Sequence, residues 1–180
     1  KSAGQLPTMS VVEGESPYAI TKEAVNAIGG MAHFVKKGDK VVIKPNIGWD
    51  RTPEMGACTN PEVVKAVIEL CFNAGAKSVT VLDNSTNQAK RCYVRSGIMD
   101  AVKQTEGKII YVDEQRIKKM KINGEWIKEW DIVQDVIEAD KLINLPIALP
   151  PTVIGFYLLC LLGPRGPFGA PWETLFGASL

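Results

Sequence analysis

Apolar positions along the chain follow two periods. Aliphatic and β-branched residues make up Val41 to Ile43 and Val79 to Leu82, and dominate Ile109 to Val112, with Tyr111, and Leu142 to Leu145, with Asn144. Continuous apolar runs of this length predict strands buried on both faces of a parallel sheet. Between them, apolar residues recur at helical spacing: Ala19, Ile20, Ala24, Ala27 and Ile28 in one segment, and Val63, Val64, Val67, Ile68 and Cys71 in another. A further β-rich run, Thr8 to Val12, predicts a first strand.

Punctuation sharpens these bounds. Ser16-Pro17 and Asn60-Pro61 each place a capping side chain before a proline at the first helical position, where the missing N-H costs nothing. Gly29-Gly30 and Asn73-Ala74-Gly75 close the two helices. His33 falls in the connection after the first, without a nearby carboxylate or cysteine in sequence. A third helix is predicted over Gly97 to Gln104 and a short one over Asp131 to Glu138. Pro45 removes a ladder donor and restricts Lys44 to extended geometry, so the 40–45 strand must stop there. Asn123-Gly124, flanked by Met120 to Ile122 and by Trp126 and Ile127, predicts a tight hairpin. The architecture expected is α/β: a mostly parallel sheet with helices on both faces, plus a small β-hairpin insertion near 119–128.

Each predicted strand delivers polar residues to its carboxyl end: Lys44 and Asn46, Asp83 and Asn84, Asp113, and Asn144. In open parallel sheets ligands bind outside those ends. Lys44 is the candidate for holding an anion, or for catalysis. Asp83 is the candidate general base or metal ligand, so a divalent cation is a candidate cofactor. Asn46, Thr59, Asn60, Asn84 and Asn144 complete the candidate ligand-binding set, with the helix start at Thr59-Asn60 contributing N-H donors. These residue types also cap helices and close turns, so their presence by itself does not make a site.

Composition narrows the function classes. The 180 residues carry a formal charge of +1, which gives no basic surplus for broad attraction to nucleic acid. Four cysteines, at 58, 71, 92 and 160, include no Cys-x-x-Cys pair. That pattern fits no iron-sulfur cluster and no zinc ribbon. Cys92 lies in a polar stretch beside Lys90, Arg91 and Arg95, where a neighbouring cation would favour a reactive thiolate. No Gly-x-Gly-x-x-Gly or Walker motif follows a strand.

Five motifs occur in order: Lys-Pro-Asn at 44–46, Thr-Asn-Pro-Glu at 59–62, Ala-Gly-Ala-Lys at 74–77, Val-Leu-Asp at 81–83 and Ala-Asp-Lys-Leu-Ile-Asn-Leu-Pro at 139–146. As a set they resemble the family called domain of unknown function 362 over about residues 8–148. The resemblance implies that some relatives carry a twin-arginine export leader and others an appended four-cysteine iron-sulfur module, which this sequence lacks. It also implies a continuation after Ala148 with Lys-x-His or Lys-His-His and then Gly-x-x-x-x-x-Lys-Asn. Here Leu149-Pro150-Pro151 follows instead.

From Leu142 onwards only Arg165 and Glu173 are charged. The apolar stretch Val153 to Leu162 is shorter than the ~20 residues that span a bilayer, so no transmembrane segment is expected. The expected organisation is an α/β domain over 1–148 and an atypical apolar, Pro/Gly-rich tail over 149–180. That tail would pack on the domain, mediate homo-oligomerisation, or come from a changed reading frame or truncation. The sequence thus suggests a binder of a small anionic molecule or divalent metal at the carboxyl ends of the strands, or an enzyme remnant with Lys44 and Asp83 as its candidate catalytic residues. The alternatives are a non-catalytic accessory or self-associating protein and, third, a redox-associated protein. Both cytoplasmic and exported locations fit the sequence.

Overall fold

The computed structural model describes residues 6–122 and 124–146. A four-stranded parallel sheet has the order β3-β2-β1-β6, with β1 Lys40–Pro45, β2 Ser78–Val81, β3 Lys108–Ile109 and β6 Lys141–Leu145. A separate antiparallel pair joins β4 Ile117–Lys121 to β5 Glu129–Val133. The fold is α/β, as the run lengths predict.

β1 is the central element. It pairs in parallel with β2, Ile43 opposite Val81, and with β6, Lys44 opposite Asn144. Val41, Val42 and Ile43 are all buried, which requires cover on both faces of the sheet. On one face Val41, Ile43, Val79 and Val81 join the core formed with Val64, Val67, Ile68 and Cys71 of helix α3, Pro61–Asn73. Full burial of each such aliphatic side chain contributes about 1.5–3 kcal/mol. Helices α1, Pro17–Ala27, and α5, Ile98–Lys103, pack against α3. On the other face Val42 and Thr80 line a crevice with Asp135 of the short helix α6, Gln134–Ile137.

The predicted caps are present: Ser16 Oγ accepts from the Ala19 N-H, and Asn60 Oδ1 accepts from the Glu62 N-H. Gly75 closes α3 with φ +96°, a conformation that glycine adopts without a Cβ clash.

Other expectations are corrected. Thr8 to Val12 forms no strand. The segment is tied to α1 instead, with Ser10 Oγ donating to the Ala24 carbonyl at 2.7 Å. His33 lies within a short helix, α2 Met31–Phe34, rather than in a connection. The polar stretch after β2 contains helix α4, Ala89–Arg95, which buries Cys92 and Tyr93. The hairpin is wider than Asn123-Gly124 implies. Lys121 pairs with Glu129, and the Ile122 N-H bonds the Lys128 carbonyl, so Trp126 and Ile127 are in the loop. Residues 131–133 therefore extend β5, and α6 begins only at Gln134. Here cross-strand pairing of Lys119 with Asp131 outweighed the weak helical pattern. No helix among the described residues is long and apolar enough to cross a membrane. The tail, residues 149–180, lies outside the described residues.

Candidate functional site at the carboxyl ends of the strands

The strand order puts β1 between β2 and β6, so three of the predicted polar ends become neighbours. The centre is an ion pair. Lys44 Nζ stands 2.8 Å from Asp83 Oδ1; the lysine side chain is 45% exposed and the carboxylate 6%. Asp83 Oδ2 accepts the Ile47 N-H at 2.7 Å. Both carboxylate oxygens are thus engaged, which is what a buried carboxylate requires to offset its desolvation. Lys44 leans out toward solvent with donor capacity left over.

Asp83 is fixed from behind. Its N-H donates to Tyr93 Oη at 2.7 Å, and the tyrosine hydroxyl lies 3.3 Å from the carbonyls of Asp83 and Ile110. Burial pushes the Tyr93 phenol well above its ordinary value, so it stays protonated and acts as a neutral clamp. Tyr93 packs edge-on to Tyr111, with ring centroids 5.0 Å apart. Sequence reasoning missed Tyr93 because its segment looked like a polar loop. The only local signal was a large aromatic at helical spacing from Ala89 and Ser96.

The loops after β1 and β2 are laced together. Ser85 Oγ donates to the Ile47 carbonyl at 2.7 Å, and the N-H groups of Thr86 and Asn87 both donate to the Gly48 carbonyl. The Asp50 N-H reaches Asn87 Oδ1 at 3.1 Å. The Ile47 N-H is consequently held in place to receive Asp83.

Several candidate residues have structural work. Thr59 Oγ1 accepts the Asn46 N-H and donates to the Leu145 carbonyl, both at 2.9 Å, while its own N-H donates to the Asn46 carbonyl. It ties the end of β1 to the end of β6. Asn46 Oδ1 accepts the Gly48 N-H at 3.1 Å, closing its own turn. Asn60 caps α3 with its side chain, and its carbonyl accepts the Val63 N-H. With Pro61 lacking a donor, the first-turn N-H groups of α3 are occupied locally.

The remaining two are open to solvent. Asn144 is exposed and, as the register partner of Lys44, projects from the same face of the sheet. It also lines a groove of about 610 Å³ along the β6 edge, with Leu142, Met31 and Phe34. Asn84 is exposed too, but lines a different groove with Ile117, Lys119 and Asp131 of the hairpin. The structure therefore joins Lys44 to Asp83, sets Asn144 beside Lys44 in register, keeps Asn46, Thr59 and Asn60 as scaffold, and turns Asn84 toward β4–β5.

Metal and thiol chemistry find less support in the geometry. Among the described residues no three His, Cys, Asp or Glu side chains gather as a potential metal site. A cation at Asp83 would have to displace Lys44 and recruit neutral amide oxygens. Cys92 is fully buried and lies 3.8 Å from the Gly48 carbonyl, while its cationic neighbours Arg91 and Arg95 turn to Asp50. The expected reactive thiol beside cations is corrected accordingly: α4 turns Cys92 inward and the arginines outward. Cys58 donates to the Trp49 carbonyl at 3.3 Å, and burial raises its pKa. Burial pushes Cys71 up to about 12.

Comparison with known proteins adds three findings. A family model described as a domain of unknown function (DUF362) matches residues 41–148. The chain is 29% identical over 146 residues to the thylakoid-associated protein sll1697 of Synechocystis sp., covering 81% of this chain and 44% of that one. It is 63% identical over 27 residues to ModB, a permease protein of the molybdenum transport system of Azotobacter vinelandii, covering 15% and 12% of the two. The chain thus spans less than half the length of either relative. No solved structure matches it.

Proposed function

The chain belongs to the DUF362 family, and from the site itself we propose its function: binding of a small anionic ligand at the rim formed by Lys44 and Asn144. The observation that carries this reading is the half-exposed Lys44 ammonium, anchored at 2.8 Å by a buried carboxylate and flanked in register by an exposed amide. Asp83 orients the lysine and occupies one of its three Nζ donors; the pair carries no net charge, so the ligand is held by the remaining Nζ donors. The Asn144 side chain supplies a further donor at the neighbouring position. A carboxylate or phosphate oxygen docking there would meet one charged and one neutral donor.

In this reading Asp83 is a positioning group before it is a base. Its two oxygens are committed to Lys44 and to the Ile47 N-H, so proton abstraction would require Lys44 to leave first. Binding is therefore the more direct consequence of the geometry than catalysis.

Thermal unfolding in the presence of inorganic phosphate and of succinate tests it. A ligand at 100 times its Kd adds about 2.7 kcal/mol to stability. The expected result is a rise in midpoint for the wild type, largely lost in Lys44→Ala and reduced in Asn144→Ala. Equal stabilisation of the wild type and Lys44→Ala would reject the rim as the site.

A further inference from the structure

Helix α4 holds the Lys44–Asp83 pair from two directions. One is direct: Tyr93, on its inner face, accepts the Asp83 N-H at 2.7 Å. The other runs through the loop after β1. Ile47, whose N-H donates to Asp83 Oδ2 at 2.7 Å, stands three residues before Asp50, and Asp50 is bound to the outer face of α4. Asp50 Oδ2 meets Arg91 Nη2 at 2.6 Å, while Arg95 Nη1 stays 3.9 Å from Oδ1, beyond hydrogen-bonding distance.

The two partners differ in exposure. The Arg91 side chain is 64% exposed and that of Asp50 14%, so the guanidinium is solvated with or without its partner and the carboxylate is not. Asp50 Oδ1 is buried and makes no hydrogen bond among the described residues, which leaves this carboxylate dependent on Arg91. Removing one partner of such a pair strands a buried charge, and that costs more than the bond itself contributes. Relief comes by turning Asp50 out to water. That movement pulls on the Asp50 N-H bond to Asn87 Oδ1 and on the Gly48 carbonyl, which accepts from Thr86 and Asn87. Ile47 lies at the end of the same run.

We infer that the Arg91–Asp50 pair is a latch on the anion site: it keeps the Ile47 N-H on Asp83 Oδ2 and so leaves Lys44 donors free for the ligand. The effect on affinity rests on the reading of Lys44 as that site. With the latch open, Oδ2 loses its donor, and a buried carboxylate oxygen takes a replacement within reach. The Lys44 ammonium, 2.8 Å from Oδ1, is such a donor. A second contact to Asp83 takes up a further Nζ donor and draws Lys44 away from solvent, so affinity for an anion falls. Arg91 and Asp50 are positioning residues and touch no ligand.

Two measurements on the full chain test the latch: calorimetric titration with inorganic phosphate, and hydrogen exchange of the Ile47 amide without ligand. Arg91→Gln should weaken phosphate binding about tenfold, the loss of one hydrogen bond to a charged group, and should speed Ile47 exchange about tenfold or more. Arg91→Lys keeps the charge and should restore most of both. The amides of Val79 and Val81 in β2 should exchange as in the wild type, which separates local opening from a general loss of stability. The inference is overturned if Arg91→Gln leaves Ile47 exchange unchanged, as it would were Arg91 itself the phosphate ligand, or leaves phosphate affinity unchanged. Exchange that quickens equally at Ile47, Val79 and Val81 overturns it too. A wild type that binds neither phosphate nor succinate refutes the Lys44 reading instead, and the hold of Arg91 on Asp83 is then decided by Ile47 exchange alone.

Discussion

Replacing Thr59 by valine keeps the shape of the side chain and removes its hydroxyl. That hydroxyl accepts the Asn46 N-H and donates to the Leu145 carbonyl, each at 2.9 Å, at a residue 6% exposed. Each net hydrogen bond contributes about 1 kcal/mol, and the Asn46 N-H left without its acceptor costs within the ~1–3 kcal/mol range for a stranded donor. The methyl group that replaces the hydroxyl returns about 0.8 kcal/mol of apolar burial. Thr59→Val should therefore destabilise the fold by about 1–2 kcal/mol, whereas Thr59→Ser should recover most of the loss. Urea unfolding followed by circular dichroism reads the change as a lower midpoint with an unchanged slope. A loss under about 0.5 kcal/mol would refute the claim that Thr59 joins the ends of β1 and β6, given the size of the lost bonds. It would also reopen the residue as a ligand contact.

Three further outcomes follow, two from other parts of the fold and one from the sequence beyond it. Gly75→Ala places a Cβ 3.3 Å from Lys37 Cα at φ +96°. It should cost about 1–3 kcal/mol in urea unfolding, and a neutral effect would contradict the tight approach. Cys71, pushed up by burial from 9.0 to about 12, keeps its proton longer folded than unfolded. Its contribution is fully present below pH 9 and falls as pH rises toward 12, by about 1.4 kcal/mol per unit. Stability measured between pH 8 and pH 10.5 should therefore fall less steeply in Cys71→Ala than in the wild type; parallel curves would contradict this. A change of reading frame near Leu149 predicts that the native locus encodes, in another frame, a basic and histidine-containing continuation. An uninterrupted frame encoding residues 149–180 would rule that out.

Legibility differed by element. Val41 to Ile43 and the Asn60-Pro61 start of α3 were readable because the signals are local: a continuous apolar run, a capping side chain and a proline at the first helical position. The hairpin was readable as a pair but not in register. The 131–133 segment carries a weak helical pattern, and only pairing with Ile117 to Lys119 makes it a strand. The helix 89–95 was missed because its cationic face masks two inward residues, Cys92 and Tyr93, whose burial depends on the loop beyond β1.

Sequence alone determined the α/β class, the capped starts of α1 and α3 and the polar strand ends, because propensity, capping and apolar periodicity act over a few residues. Tertiary structure decided which polar ends have a free valence. Lys44 meets Asp83 across 39 positions of sequence, and Thr59 meets Leu145 across 86, through distances no local pattern encodes. Asn46, Thr59 and Asn60 look no different in sequence from Asn144. They became scaffold because backbone groups brought near by folding took up their hydrogen bonds, while Asn144 lies at an edge strand with its side chain in solvent.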